Sequence, residues 1–200
     1  MPSPMPWRNW LIILYLTCVV LLISELFAFI AGCVCLGGNN SIKHKIVTAY
    51  AGVSFIIGLP NLLLPIFGYT NVYTVNIWVL ATIIAIGLFF IAISTRKSLA
   101  IIEILFFISI SIWLLCVFVF GFDVYNKISH VSTAIFGISC AIIISEKDAD
   151  NIKWMCPALF ADVFLCSISM AWHADIPMFW SVRNMIWAVS FFGYGVTRIT

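Results

Sequence analysis

Seven apolar blocks separated by short polar breaks make up most of the chain; they run over residues 10–36, 46–67, 76–94, 99–122, 128–145, 154–172 and 178–196. A helix needs about 20 predominantly apolar residues to cross the hydrocarbon core of a bilayer. Gly37-Gly38-Asn39-Asn40 and Lys43-His44-Lys45 close the first block, and Arg96-Lys97 closes the third. The turn His173-Ala174-Asp175-Ile176-Pro177 joins the last two blocks, which should therefore be antiparallel neighbours. The pattern predicts an all-α fold: a polytopic transmembrane helix bundle of seven spans, with six as the alternative. The fifth block reaches only about 27 Å at 1.5 Å per residue, and the seventh carries Arg183 and Asn184.

Composition agrees with the pattern. Hydrophobic residues make up 64% of the 200 and charged residues 9%, and the mean hydropathy is +1.14. Soluble domains are about half apolar and a quarter charged. The longest polar stretch, Ser145 to Lys153, is too short for a soluble domain, so residues 1–200 read as a single integral-membrane domain. A catalytic domain outside the bilayer has no room. The net charge of +2 and the lack of any basic run longer than Arg96-Lys97 give no sign of a nucleic-acid partner. The bilayer itself is the expected surround, in a bacterial inner membrane or another cell membrane.

Lys and Arg set the expected orientation, because cytoplasmic loops are enriched in them. Lys43, Lys45, Arg96, Lys97, Lys147, Lys153 and Arg198 fall on one side, and Arg8 and Lys127 on the other. This puts the N-terminus outside and the C-terminus in the cytoplasm. Ile30-Ala31-Gly32-Cys33 resembles a lipoprotein lipobox. The long apolar stretch before it, interrupted by Glu25, fits a retained span better than a cleaved leader. Trp7, Trp10, Tyr69, Tyr73, Trp78, Tyr125, Trp154, Trp172 and Trp180 lie near block ends, where interfacial aromatics are expected.

Small residues mark helix contacts. Ser24, Ala28 and Gly32 share one face of the first span, and Ser129, Thr133, Gly137, Ala141 and Ser145 one face of the fifth. Such faces allow close backbone approach within the bundle or between copies of the chain. The seven cysteines show no CxxC and no zinc-type spacing with histidine, so neither a metal nor a cofactor is expected. Buried cysteine behaves as a small hydrophobe.

Ionisable side chains inside spans are costly and mark candidate sites. Arg183 lies about 8 Å, Asp162 about 15 Å and Glu25 about 22 Å below the outer surface at 1.5 Å per residue. Glu103, about 6 Å from the inner end of its span, can snorkel to water. Asp162 and Arg183 should pair, since either charge alone in hydrocarbon is expensive. Ala158, Asp162, Cys166, Ser169 and His173 fall on one face of the sixth span, so that face is expected to line an aqueous path with His173 at its mouth. Pro60 and Pro65 release the carbonyls of Ile56 and Asn61.

These residues suggest a small transporter or channel, proton- or cation-linked, with its path between spans one, two, six and seven. Asp162 and Glu25 would bind the cation, with Arg183 as counter-ion and Asn61 lining the path. The alternative is a membrane interaction protein without transport, such as an accessory subunit or an exclusion factor encoded by a mobile element or phage. Such a protein would act through a membrane-protein partner or a second copy of the chain. No HExxH, Ser/His or paired-aspartate arrangement suggests an enzyme. In topology alone the layout is similar to SWEET-like carriers and rhodopsin-type receptors, but the halves do not repeat and the last span has no lysine for a retinal.

Overall fold

The computed structural model describes residues 6–35, 42–122, 127–144, 153, 155–171 and 177–199. Seven helices form, and no strand occurs among the described residues. They are α1 (Pro6–Val34), α2 (Ile42–Ile66), α3 (Val72–Ile93), α4 (Arg96–Phe120), α5 (Lys127–Ile144), α6 (Cys156–Ala171) and α7 (Pro177–Ile199). Five helices, α1 to α5, are long and apolar enough to cross a membrane. Helix α6 is apolar but has 16 described residues. Helix α7 has the length, with 23 residues, but carries Ser181, Arg183, Asn184, Ser190 and Arg198. His173, Trp154, Trp172, Tyr125 and Ser145 lie outside the described residues.

Local chemistry sets several helix ends. Thr95 and Ser98 cap the start of α4 reciprocally, satisfying backbone N–H groups that have no partner within the helix. Gly121 ends α4 with φ at 76°, a backbone angle that residues with a Cβ rarely adopt.

Side-chain contacts fix the direction of neighbouring helices. Glu25 meets Ser54, and a Cβ on Gly32 would collide with the Thr48 side chain, so α1 and α2 are antiparallel. Tyr50 meets Thr82, and Ser54 meets Trp78, so α2 and α3 are antiparallel too. In contrast, α1 and α7 run parallel: Cys18 meets Asn184, Phe27 stacks on Phe192 and Cys35 meets the Arg198 carbonyl. These two helices share the most extensive contact in the bundle.

Both small-residue faces are packing faces inside this one chain. Ala28 is buried and Gly32 lets α1 sit against Thr48 of α2. Ser129, Thr133 and Ala141 are buried, and a Cβ on Gly137 would lie 2.7 Å from Leu159 Cδ1 of α6.

The bundle is apolar outside and polar within. Helix α4 exposes Ile104, Phe107, Leu115 and Phe118, the last 89% accessible. Buried instead are Glu25, Ser54, Asn76, Thr82, His130, Asp162, Arg183 and Asn184. In water this arrangement would expose apolar area at roughly 25 cal/mol per Å². In lipid the exposed side chains cost nothing, and the polar ones must find partners inside the bundle. That distribution is the one expected of a membrane protein.

Candidate functional site

Asp162 of α6 and Arg183 of α7 meet in the bundle interior. Arg183 Nε donates to Asp162 Oδ1, and both side chains are buried. One turn further along α7, Trp187 Nε1 donates to Asp162 Oδ2 at 3.1 Å. The guanidinium carbon lies 4.5 Å from the ring centroid of Trp78 on α3 and 5.9 Å from that of Trp180. Aromatic faces stabilise a desolvated cation by up to about 2 kcal/mol. A carboxylate and two indoles therefore hold Arg183.

Glu25 forms the second part of the site. It is only 1% exposed. Its Oε1 accepts from Ser54 Oγ at 2.5 Å, and Ser54 Oγ accepts from Trp78 Nε1 at 2.7 Å. Its Oε2 has no hydrogen-bond partner among the described residues. Trp78 thus serves both halves of the site: its N–H supports the Ser54–Glu25 bond and its face carries Arg183. Glu25 and Asp162 place two carboxyl groups in the interior against the one guanidinium of Arg183. With both carboxyl groups ionised, one negative charge is left over.

A cavity of about 350 Å³ opens beside these groups, at the end of the bundle where α3 and α7 begin. Glu25, Arg183, Asn184, Trp78, Trp180, His130, Asn61 and Asn71 contribute its polar and aromatic lining. Leu14, Leu21, Leu22, Leu62, Val72 and Val75 make the rest of the wall. A second cavity, of about 250 Å³, lies at the opposite end among His44, Tyr50, Trp187, Ser190, Tyr194 and Arg198. Between the two, the Trp187 ring stands edge-on to Trp78 at 6.0 Å and to Tyr50 at 6.3 Å. The residue that holds Asp162 from one cavity thus packs directly on the residue that faces the other.

No protein-family model, curated protein or solved structure matches this chain. The geometry alone carries the functional reading.

Of the residues singled out from sequence, Glu25, Asn61 and Arg183 line the first cavity, and Asp162 stands behind Arg183. Three expectations change. The polar face of α6 does not line that cavity: Asp162, Cys166 and Ser169 are 4%, 0% and 1% exposed, closed in by packing. Helix α3 supplies the wall expected of the sixth span, through Val72, Val75 and Trp78. Trp78 is not an interfacial aromatic but a core residue, 7% exposed. The Asn61 carbonyl released by Pro65 is not free, since Asn71 Nδ2 donates to it at 3.2 Å, and Thr74 Oγ1 donates to the Asn61 side-chain oxygen.

Sequence reading missed Ser54 and His130. His130 is buried between the Trp78 and Trp180 rings, at centroid distances of 5.8 and 6.4 Å. Its signal was present: His130, Thr133 and Gly137 fall at i, i+3 and i+7, on one face of α5. Ligand atoms of His130, Asp162 and Cys166 lie within 4.8 Å of one another. Both Asp162 oxygens are already engaged by Arg183 and Trp187, and a metal ion there would face the guanidinium. The cluster suits a packed ion pair better than a metal.

Proposed function

We propose that this chain is a small seven-span membrane transporter, driven by protons or a cation, whose path runs from the Glu25 cavity to the Trp187 cavity. One observation carries the reading: two cavities at opposite ends of the bundle meet at packed rings, with Trp78 lining one cavity and Trp187 and Tyr50 the other, braced by the Asp162–Arg183 pair. Alternating access needs a central site and a thin partition that can open to either side. The parallel course of α1 and α7 suits an odd number of spans, and the Lys/Arg distribution favours an external N-terminus. The Glu25 cavity would then face outward and the Trp187 cavity the cytoplasm.

The test is solute-linked proton movement in proteoliposomes. Purified protein is reconstituted with a pH-sensitive dye inside, and ion or pH gradients are imposed. Transport predicts a flux above that of protein-free vesicles, and its loss in Glu25→Gln and Arg183→Gln variants that still fold. Vesicles that stay as tight as empty ones under every gradient would refute the proposal. The chain would then be better read as an interaction protein working through a membrane partner.

A further inference from the structure

We infer that the cavity beside Glu25 takes a monovalent organic cation, a protonated amine with an apolar body, with its ammonium on Glu25 Oε2. The inference rests on the reading of that cavity as a substrate path. Three observations lead to it.

The first is charge. The interior holds the carboxyl groups of Glu25 and Asp162 against Arg183, so ionising both leaves one negative charge over. Arg183 is already held by Asp162, while Glu25 has one oxygen held by Ser54 and one without a partner among the described residues. An isolated charge is not tolerated cheaply in a low-dielectric interior. A proton or a bound cation must balance it, and an anionic solute would add to the imbalance.

The second is shape. Gly58 of α2 packs beside Oε2: a Cβ there would lie 3.5 Å from that oxygen, in contact with it, and 2.7 Å from Leu22 Cδ2. Glu25 and Gly58 both line the cavity of about 350 Å³, within the usual range for small-molecule sites.

The third is the wall. Leucines, valines and the Trp78 and Trp180 rings make most of the wall beside Glu25, and Arg183, already paired with Asp162, and the side chains of Asn71 and Asn184 also belong to it. A bare metal cation needs about six oxygen ligands. Besides Glu25 the lining offers the side-chain oxygens of Asn61, Asn71 and Asn184, the first already bonded to Thr74, so the set falls short of six. An ammonium needs one strong acceptor, and an aromatic face can share its charge. The apolar remainder of the ligand fills the leucine-lined space. An alkyl or arylalkyl amine meets each requirement.

The experiment uses the full chain in lipid nanodiscs and three probes of one shape: 2-phenylethylammonium, 2-phenylethanol and 3-phenylpropionate. Binding is read from tryptophan fluorescence, since Trp78 and Trp180 line the cavity, with empty nanodiscs as the partition control. The ammonium should give a saturable change, and the alcohol and the acid none at ten times its concentration. Glu25→Gln should weaken ammonium binding roughly tenfold to a hundredfold, as expected for a lost bond to a charged group. Equal binding of alcohol and ammonium by the wild-type protein would overturn the inference, whether or not any variant folds. So would a folded Glu25→Gln protein that binds the ammonium as well as wild type. Uptake assays separate this from the transport reading. Glu25-dependent binding without uptake leaves the ligand class standing and removes transport. Proton or metal-ion flux without ammonium binding does the reverse.

Discussion

Neutralising Asp162 should cost less than neutralising Arg183, and the structure says why. Removing one partner of a buried ion pair typically costs about 3–5 kcal/mol, because the other charge is left uncompensated. The two survivors here differ. After Asp162→Asn, Arg183 keeps the Trp78 face at 4.5 Å and the Trp180 face at 5.9 Å. It also keeps Glu25 across the cavity as a second carboxylate, so the interior becomes neutral. A desolvated cation–π contact is worth about 2 kcal/mol, which places this variant near the low end, about 3 kcal/mol. After Arg183→Gln, two carboxylates remain with no cation, and Asp162 keeps only the Trp187 N–H at 3.1 Å. That variant belongs at the upper end, about 5 kcal/mol. The double neutral variant leaves the single charge of Glu25, as in wild type, and should fall at least about 2 kcal/mol short of the sum of the singles. Reversible unfolding in mixed micelles gives all four corners of the cycle. Costs that add to within about 0.5 kcal/mol, or an Asp162→Asn protein less stable than Arg183→Gln, would refute the charge accounting.

Three further outcomes follow from the same geometry. Reporter fusions after Thr200 and in the loop carrying Lys43 should both report the cytoplasm; opposite readings would mean a span has been miscounted. Cys166, fully buried, should resist a membrane-impermeant thiol reagent in intact membranes and react after denaturation, while labelling from outside in the native state would reopen α6 as a wall of the path. Trp78→Phe keeps an aromatic face for Arg183 but removes the N–H donated to Ser54 at 2.7 Å, and should destabilise the protein by about 1 to 2 kcal/mol; a larger loss, matching that of Arg183→Gln, would show that the ring rather than the N–H sets the role of Trp78.

The helices were readable because long apolar segments leave a one-dimensional signal. Length and hydropathy marked seven blocks, the described helices fall on them, and five are long and apolar enough to cross a membrane. The Asp162–Arg183 contact was readable because a short turn joins two helices and unpaired charges are costly in hydrocarbon. The cavity wall was harder to foresee. Helix α3 is apolar on nearly every side, and its few polar residues, such as Asn76 and Thr82, make no clear stripe to show which side faces the interior, so Trp78, near the start of a block, looked interfacial. Likewise the small and polar face of α6 could equally have met water or protein. The burial of Asp162, Cys166 and Ser169 decides for protein, and only the folded chain shows it.

Trp78 explains how a ligand at one end could be felt at the other. It donates to Ser54, which donates to Glu25, and it carries Arg183 on its face with Trp187 against its edge. Arg183 has two carboxyl groups within its field, Asp162 in contact and Glu25 across the cavity. A cation on Glu25 cancels the second, which leaves Asp162 as the only counter-charge and strengthens that pair. Asp162 in turn is bonded to Trp187, the residue that lines the opposite cavity. Under the transport reading, occupancy at Glu25 would therefore be coupled to the partition by electrostatics, through the contacts of Arg183, Asp162 and Trp187. The coupling must be reciprocal. A change that loosens the partition, such as Trp187→Phe with its lost N–H to Asp162, should alter ammonium affinity at a cavity that Trp187 does not line. An affinity unchanged in a folded Trp187→Phe protein would show that the two cavities are independent, and the case for a single path would be lost with it.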